Sequence, residues 1–163
     1  MIDPNWARWI FTSVAVNFSN VAANIPITYR VEGIDERNDV DLTGRSYIEL
    51  RVNGPFIKEL SRGYYHLQVD INILVNDLMD EINENAYGIV QWCGILQDAM
   101  DRAIPVMKYG SGPSDNPSVL VGCLTPRKGR FESNRVIHFG QINKVDRIRQ
   151  SMVDGRFEMY LTN

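Results

Sequence analysis

Two histidines, His66 and His138, and two cysteines, Cys93 and Cys123, are the residues whose types could carry nucleophilic or metal chemistry. They do not group. No Cys/His pair has the spacing that puts two ligands on one zinc ion, and Gly110-Ser111-Gly112 lacks the intervening positions of a nucleophile elbow. His66 and Asp70 fall on one side of an alternating segment, an acid–base pair by type; with no nucleophile nearby they read as exposed polar side chains. Asp35, Glu36, Asp39 and Asp41 lie between Gly33 and Gly44 but miss the alternate-position acids, central glycine and closing glutamate of a calcium loop. The acids are scattered, not paired on facing elements as a two-carboxylate mechanism requires. No enzyme signature emerges, and neither cofactor nor metal is implied. Both cysteines stand in apolar contexts, 90–96 and 119–124, and read as reduced core thiols.

The elements that would position such groups are those of an ordinary globular chain. With 163 residues, 44% hydrophobic and 23% charged, one domain over 1–163 with a sizeable core is expected, without disulfides or metals. No apolar run approaches the roughly 18–20 residues of a membrane span. Met1-Ile2-Asp3-Pro4-Asn5 does not resemble a signal peptide, so a soluble protein made in a cytoplasm is expected. The net charge is −3, which argues against a dedicated basic nucleic-acid binder. Its distribution is uneven: residues 1–126 carry 9 Lys/Arg against 16 Asp/Glu, and residues 127–163 carry 8 against 4. An acidic body and a basic end suit either a polyanion partner or two surfaces of opposite sign that meet between copies.

Asp3 and Pro4 have the types of an N-cap and a first helical residue, and Trp6, Trp9, Ile10, Val14, Phe18 and Val21 form one apolar stripe running to about Ala23. A strand over 27–33 and the acidic loop 33–44 follow. Ile48, Leu50 and Val52 alternate with polar neighbours until Asn53-Gly54-Pro55 breaks the pattern, after which 56–61 is free to pair back. Tyr65, Leu67, Val69, Ile71, Ile73 and Val75 then alternate over about a dozen residues, roughly 40 Å of strand, long enough to extend past the body. Asp77 is placed to cap a second helix with Met79, Ile82, Ala86, Ile89, Cys93, Leu96 and Met100 on its core face, and with Gly88 and Gly94 as points of kinking or fraying. Strands are expected over 104–109, 118–125 and 135–142, with Pro105 marking an edge, a turn-rich loop at 110–117 and a basic turn at Arg127, Lys128 and Arg130. A terminal hairpin is expected over 148–153 and 156–161, turning at Asp154-Gly155, with Phe157, Met159 and Leu161 on one side.

The predicted fold is therefore α+β: a mainly antiparallel sheet with a protruding hairpin and two main helices packed on one face. Long strands need protected or partnered edges, and charge at Lys58, Glu59 and Arg62 gives only sparse protection. Edge pairing between copies would satisfy those backbone groups, and surfaces of opposite sign suit a head-to-tail contact that closes into a ring.

Five segments carry a resemblance: Pro4-Asn5-Trp6-Ala7-Arg8-Trp9-Ile10, Arg62-Gly63-Tyr64-Tyr65, Val69-Asp70-Ile71-Asn72-Ile73-Leu74-Val75, Val121-Gly122-Cys123-Leu124 and His138-Phe139-Gly140-Gln141-Ile142. These, and the order of elements, resemble the tail-terminator family of tailed bacteriophages over most of the chain. The resemblance implies a structural virion protein, not an enzyme: a ring, usually of six subunits, at the tail–neck junction, assembled in the host cytoplasm. Such a ring contacts the tail tube protein and a neck or connector protein, and genomic DNA passes through its lumen. It brings no catalytic residues and no cofactor. Within it, Asp35, Glu36, Asp39 and Asp41 are candidates to face the lumen, where carboxylates repel passing phosphates, and Arg127, Lys128 and Arg130 to contact a neighbouring subunit or the neck. The alternatives are a head-completion or neck adaptor protein, more often a helix-rich ring of twelve; a small phage enzyme such as a nuclease, which needs clustered metal-binding acids; and a generic dimeric binding domain.

Overall fold

The structure is a computed structural model that describes residues 2–32, 46–78, 88–110, 119–127, 134–143 and 148–162. Helix α1 (Trp6–Ala22) begins two residues after Pro4, so Asn5 and not Asp3 is its N-cap, without a side-chain capping bond. Asp3 closes the turn before it, its Oδ1 accepting the Asn5 N–H at 2.8 Å and its carbonyl the Trp6 N–H at 3.1 Å. Of the predicted stripe, Trp9, Ile10, Val14 and Phe18 are buried, each large side chain contributing about 1.5–3 kcal/mol, while Trp6 and Val21 are half-buried and Ala22 joins the buried face. Strand β1 (Thr28–Val31) then runs parallel to the start of β2 (Tyr47–Ser61). The acidic segment 33–45 lies outside the described residues.

Asn53-Gly54-Pro55 does not end β2. It makes a register shift against β3 (Tyr64–Leu78), and 56–61 continues along the same partner; the turn comes at Arg62-Gly63. Gly54 is required there, since its φ is +110° and an added Cβ would meet the Gln68 carbonyl oxygen at 2.9 Å. The strand runs over 15 residues with Tyr65, Leu67, Val69, Ile71, Ile73 and Val75 buried, and the alternation holds as far as Ile73, beyond which Leu74, Asn76 and Asp77 are buried as well. That side is covered along its length, so the exposed part of the hairpin is the far half of β2, where 56–61 is exposed throughout.

Asp77 is not a helix cap. It lies within β3 opposite Arg149, accepting from the Ser46 hydroxyl at 3.2 Å and sitting 3.3 Å from Arg149 Nη2. Helix α2 is described over Gly88–Met100, where Ile89, Cys93, Leu96 and Met100 form the predicted buried seam; 79–87 lies outside the described residues.

The expected terminal hairpin is instead one 15-residue strand, β7 (Ile148–Thr162), paired along its full length with β3. Asp154-Gly155 sits in its middle. Gly155 is there because Met100 of α2 packs onto it: a Cβ would stand 3.0 Å from the methionine sulfur. The partner that turns back on β7 is β6 (Asn134–Asn143).

Strands β4 (Ile104–Lys108) and β5 (Val119–Pro126) form an antiparallel pair that joins β7 only at Thr125 and Pro126. The sheet order is β1-β2-β3-β7-β5-β4, with β6 also on β7, and the sheet is mostly antiparallel and strongly curled. Helix α1 packs on β4, β2 and β1, and α2 on β7, β3 and β6, with the core between helices and sheet. This is the expected α+β arrangement. Among the described residues no helix is long and apolar enough to cross a membrane.

Candidate assembly surface

The groups that could do chemistry are tied into the sheet. His66 and Asp70 point to the same face but have different partners. His66 Nε2 lies 3.0 Å from Glu158 Oε2, with its ring stacked 4.7 Å from that of Tyr160. Asp70 accepts from Gln68 Nε2 at 3.2 Å and lies 3.6 Å from Arg156 Nε. The pair suggested by spacing alone is thus divided between two cross-strand contacts.

A closer pair was invisible to the sequence: His138 Nδ1 stands 2.6 Å from the Ser151 hydroxyl, a nucleophile–base distance. The contact depends on the β6–β7 register, 13 residues apart along the chain. Ser151 is only 1% exposed, so the hydroxyl has no open approach for a substrate. Beneath it, burial pushes the Cys93 thiol up to about 11, a hydrogen bond from Ser151 offsetting only part of that rise. Cys123, expected in the core, is exposed on β5 because its strand position faces away from the helices; both thiols are free. Among the described residues no three His, Cys, Asp or Glu side chains are grouped to hold a metal ion.

The outer face of the sheet is polar and internally compensated. A cleft of about 260 Å³ is lined by Asn53, Asp70, Asn72, Arg135, Asp154 and Arg156. Arg135 donates to both oxygens of Asp154, at 3.1 and 2.9 Å, and Arg156 faces Asp70. Near β1, the buried Glu49 carboxylate is held between Arg30 and Arg51. Of the charged candidates, only Arg127 is described: it is exposed just after β5, its N–H donating to the Arg156 carbonyl at 2.8 Å and its guanidinium reaching Gln68 Oε1 at 3.4 Å. Asp35, Glu36, Asp39, Asp41, Lys128 and Arg130 lie outside the described residues.

The strand edges differ sharply. The edge at β4 is closed by α1: the Met107 N–H donates to Ser13 Oγ at 3.0 Å, and the Tyr109 carbonyl accepts from Trp9 Nε1 at 3.1 Å and Arg8 Nη2 at 3.3 Å. Lys108 completes the cover with its ammonium 5.4 Å from the Trp9 ring. By contrast, β1 covers β2 only over Tyr47 to Leu50, and among the described residues nothing pairs with the outer side of β2 from 51 to 61. Apolar side chains stand exposed there, Phe56 at 55%, Ile57 at 45% and Leu60 at 47%. On the other side of the sheet β6 pairs only with β7 among the described residues, and its Phe139 is 48% exposed. An unpaired row of N–H and C=O groups bordered by apolar side chains is a template for another strand.

No family model matches this chain, and no curated protein matches it.

Proposed function

We propose that this protein is the subunit of a homo-oligomeric ring in the virion of a tailed bacteriophage, one that terminates the tail tube and joins it to the neck, with DNA passing through the lumen. The observation that carries the reading is the open edge of β2, apolar and unpaired among the described residues, in a sheet whose β4 edge is closed by its own helix. A sheet whose own helix covers one edge, while another is uncovered among the described residues, suits the addition of a further strand. The resemblance of the five sequence segments to tail terminators supports the ring as the form that meeting takes.

In this ring Asp35, Glu36, Asp39 and Asp41 face the lumen and repel passing phosphates, while Arg127, Lys128 and Arg130 meet an acidic neighbour. The experiment is electron microscopy of tail tube protein polymerising with and without this chain. Capped tubes of limited length are the expected outcome; tubes that elongate equally in both mixtures, with bare ends, contradict the role.

A further inference from the structure

On the outer face of β3, β7 and β6 the acids and the arginines stand at different depths. The Asp154 and Asp70 side chains are 20% and 29% exposed, whereas Arg135 and Arg156, which face them, are 66% and 54% exposed. The pairs cancel in count but leave the guanidinium heads outermost.

The way each arginine is held adds to this. Arg135 meets both Asp154 oxygens through Nε alone, and Arg156 turns its Nε toward Asp70 at 3.6 Å. Among the described residues neither arginine has a hydrogen-bond partner for Nη1 or Nη2. A guanidinium anchored at Nε keeps its rigid outer N–H groups for a second anion, and those groups match the oxygens of a phosphate. Near β1 the arginines are used differently: Arg51 gives Nε and Nη2 to the buried Glu49, which Arg30 also holds.

Register brings the two free ends together. Arg135 lies opposite Asp154, and Arg156 is two residues further along β7, on the same face. The cleft of about 260 Å³ lies against both, with Asn53 of β2 and Asn72 of β3 completing its lining. Neither asparagine amide has a hydrogen bond to another described side chain, so two amides and two guanidinium ends are available in one cleft.

We propose that this cleft is a phosphodiester site, through which the sheet face contacts the backbone of duplex DNA. The choice of anion rests on the ring reading above, in which DNA is the polyanion the protein meets. Guanidinium and amide groups line the cleft in place of apolar side chains, which is the composition of a phosphate contact and not of the core of a protein interface. Asp70 and Asp154 behind the arginines lower the net field. Each contact is therefore weak, independent of sequence and steeply dependent on salt, as suits DNA that passes and does not stay.

The test titrates the full chain into a fluorescent duplex of mixed sequence at about 50 mM and about 200 mM salt. Arg135→Gln combined with Arg156→Gln should weaken binding at the lower salt about tenfold or more, and reduce the slope of log affinity against log salt by about one per arginine. Both sites are exposed, so the fold should be kept, and thermal melts matching the parent check that. Arg102→Gln removes another exposed arginine, just after α2, and should leave the affinity within about twofold. An unchanged affinity in the double variant, or no binding by the parent at the lower salt, overturns the site. Polyglutamate that displaces the duplex at equal charge overturns it in favour of an acidic protein partner, and a single strand that binds more tightly than the duplex overturns the assignment to duplex. Native mass separates this proposal from the ring. A ring whose double variant binds DNA as the parent does loses only the site, and a monomer whose binding depends on both arginines keeps the site and loses the ring.

Discussion

The edges at β4 and β2 pose the same physical problem and receive opposite treatments. Both expose backbone groups that must bond to something. At β4 the chain supplies the partner itself: Ser13 of α1 takes the Met107 N–H, Trp9 and Arg8 donate to the Tyr109 C=O just beyond the strand, and Trp9 is buried. At β2, among the described residues, only the four residues of β1 pair with the outer side, and Phe56, Ile57 and Leu60 are exposed. The difference supports the proposal that one edge serves the stability of the subunit and the other its assembly. Substitutions at the two should therefore act on different measurements.

The largest effect comes from breaking the sealed edge. Trp9→Ala removes a buried ring, its edge-to-face contact with Trp6 at 5.4 Å and its bond to the Tyr109 carbonyl. It should cost about 3–5 kcal/mol in denaturant unfolding of the subunit. A loss under about 1 kcal/mol would mean that the helix is not the cover it is taken to be. Ser13→Ala isolates a single bond of the same seal by orphaning the Met107 N–H, and about 1–3 kcal/mol is expected from the same titration. At the open edge Ile57→Lys should leave subunit stability within about 0.5 kcal/mol of wild type, as exposed substitutions generally do.

The two thiols sharpen the same contrast with the smallest effect. Cys123 should react with a thiol reagent in the native protein, and Cys93 only when the protein unfolds. Burial holds Cys93 protonated up to about 11, whereas in the unfolded chain a thiol ionises near 8.5. The folded state thus binds the extra proton between these values. The contribution of Cys93 is full below about pH 8.5 and falls as pH rises toward 11. Cys93→Ala should show a shallower alkaline loss of stability than wild type; identical slopes would show that this thiol is not what the rise in pH ionises.

Periodicity carried much of the fold into view. The stripe of α1, the alternation of β3 as far as Ile73 and the seam of α2 from Ile89 to Met100 depend on residues near one another in sequence, and each buries its apolar side; past Ile73 both sides of β3 are buried, Leu74 and Asn76 among them. Glycine with a turn-forming neighbour was misleading, because the same residues serve a turn or a close approach and only the tertiary partner decides. Asp154-Gly155 is extended because Met100 lies against Gly155, and Gly54-Pro55 shifts a register because β3 continues alongside it. Asp77 has the chemistry of a cap but its strand runs on past it, where Ser46 and Arg149 occupy its carboxylate.

The proposed assembly surface was legible only as an excess of strand with few protective charges. Which edge is sealed depends on where α1 lands, a fact set by contacts about a hundred residues apart in sequence, such as Trp9 with Tyr109. The Ser151–His138 contact was hidden for a similar reason, since cross-strand register places it.

The central claim is that the open edge is filled by copies of the same chain. Native mass spectrometry of the wild-type protein across a range of concentrations tests it most directly. The account predicts one closed species of more than two subunits, six by resemblance to the tail terminators, with no continuous series of larger polymers. A subunit that stays monomeric, or stops at a dimer, at every concentration would contradict it.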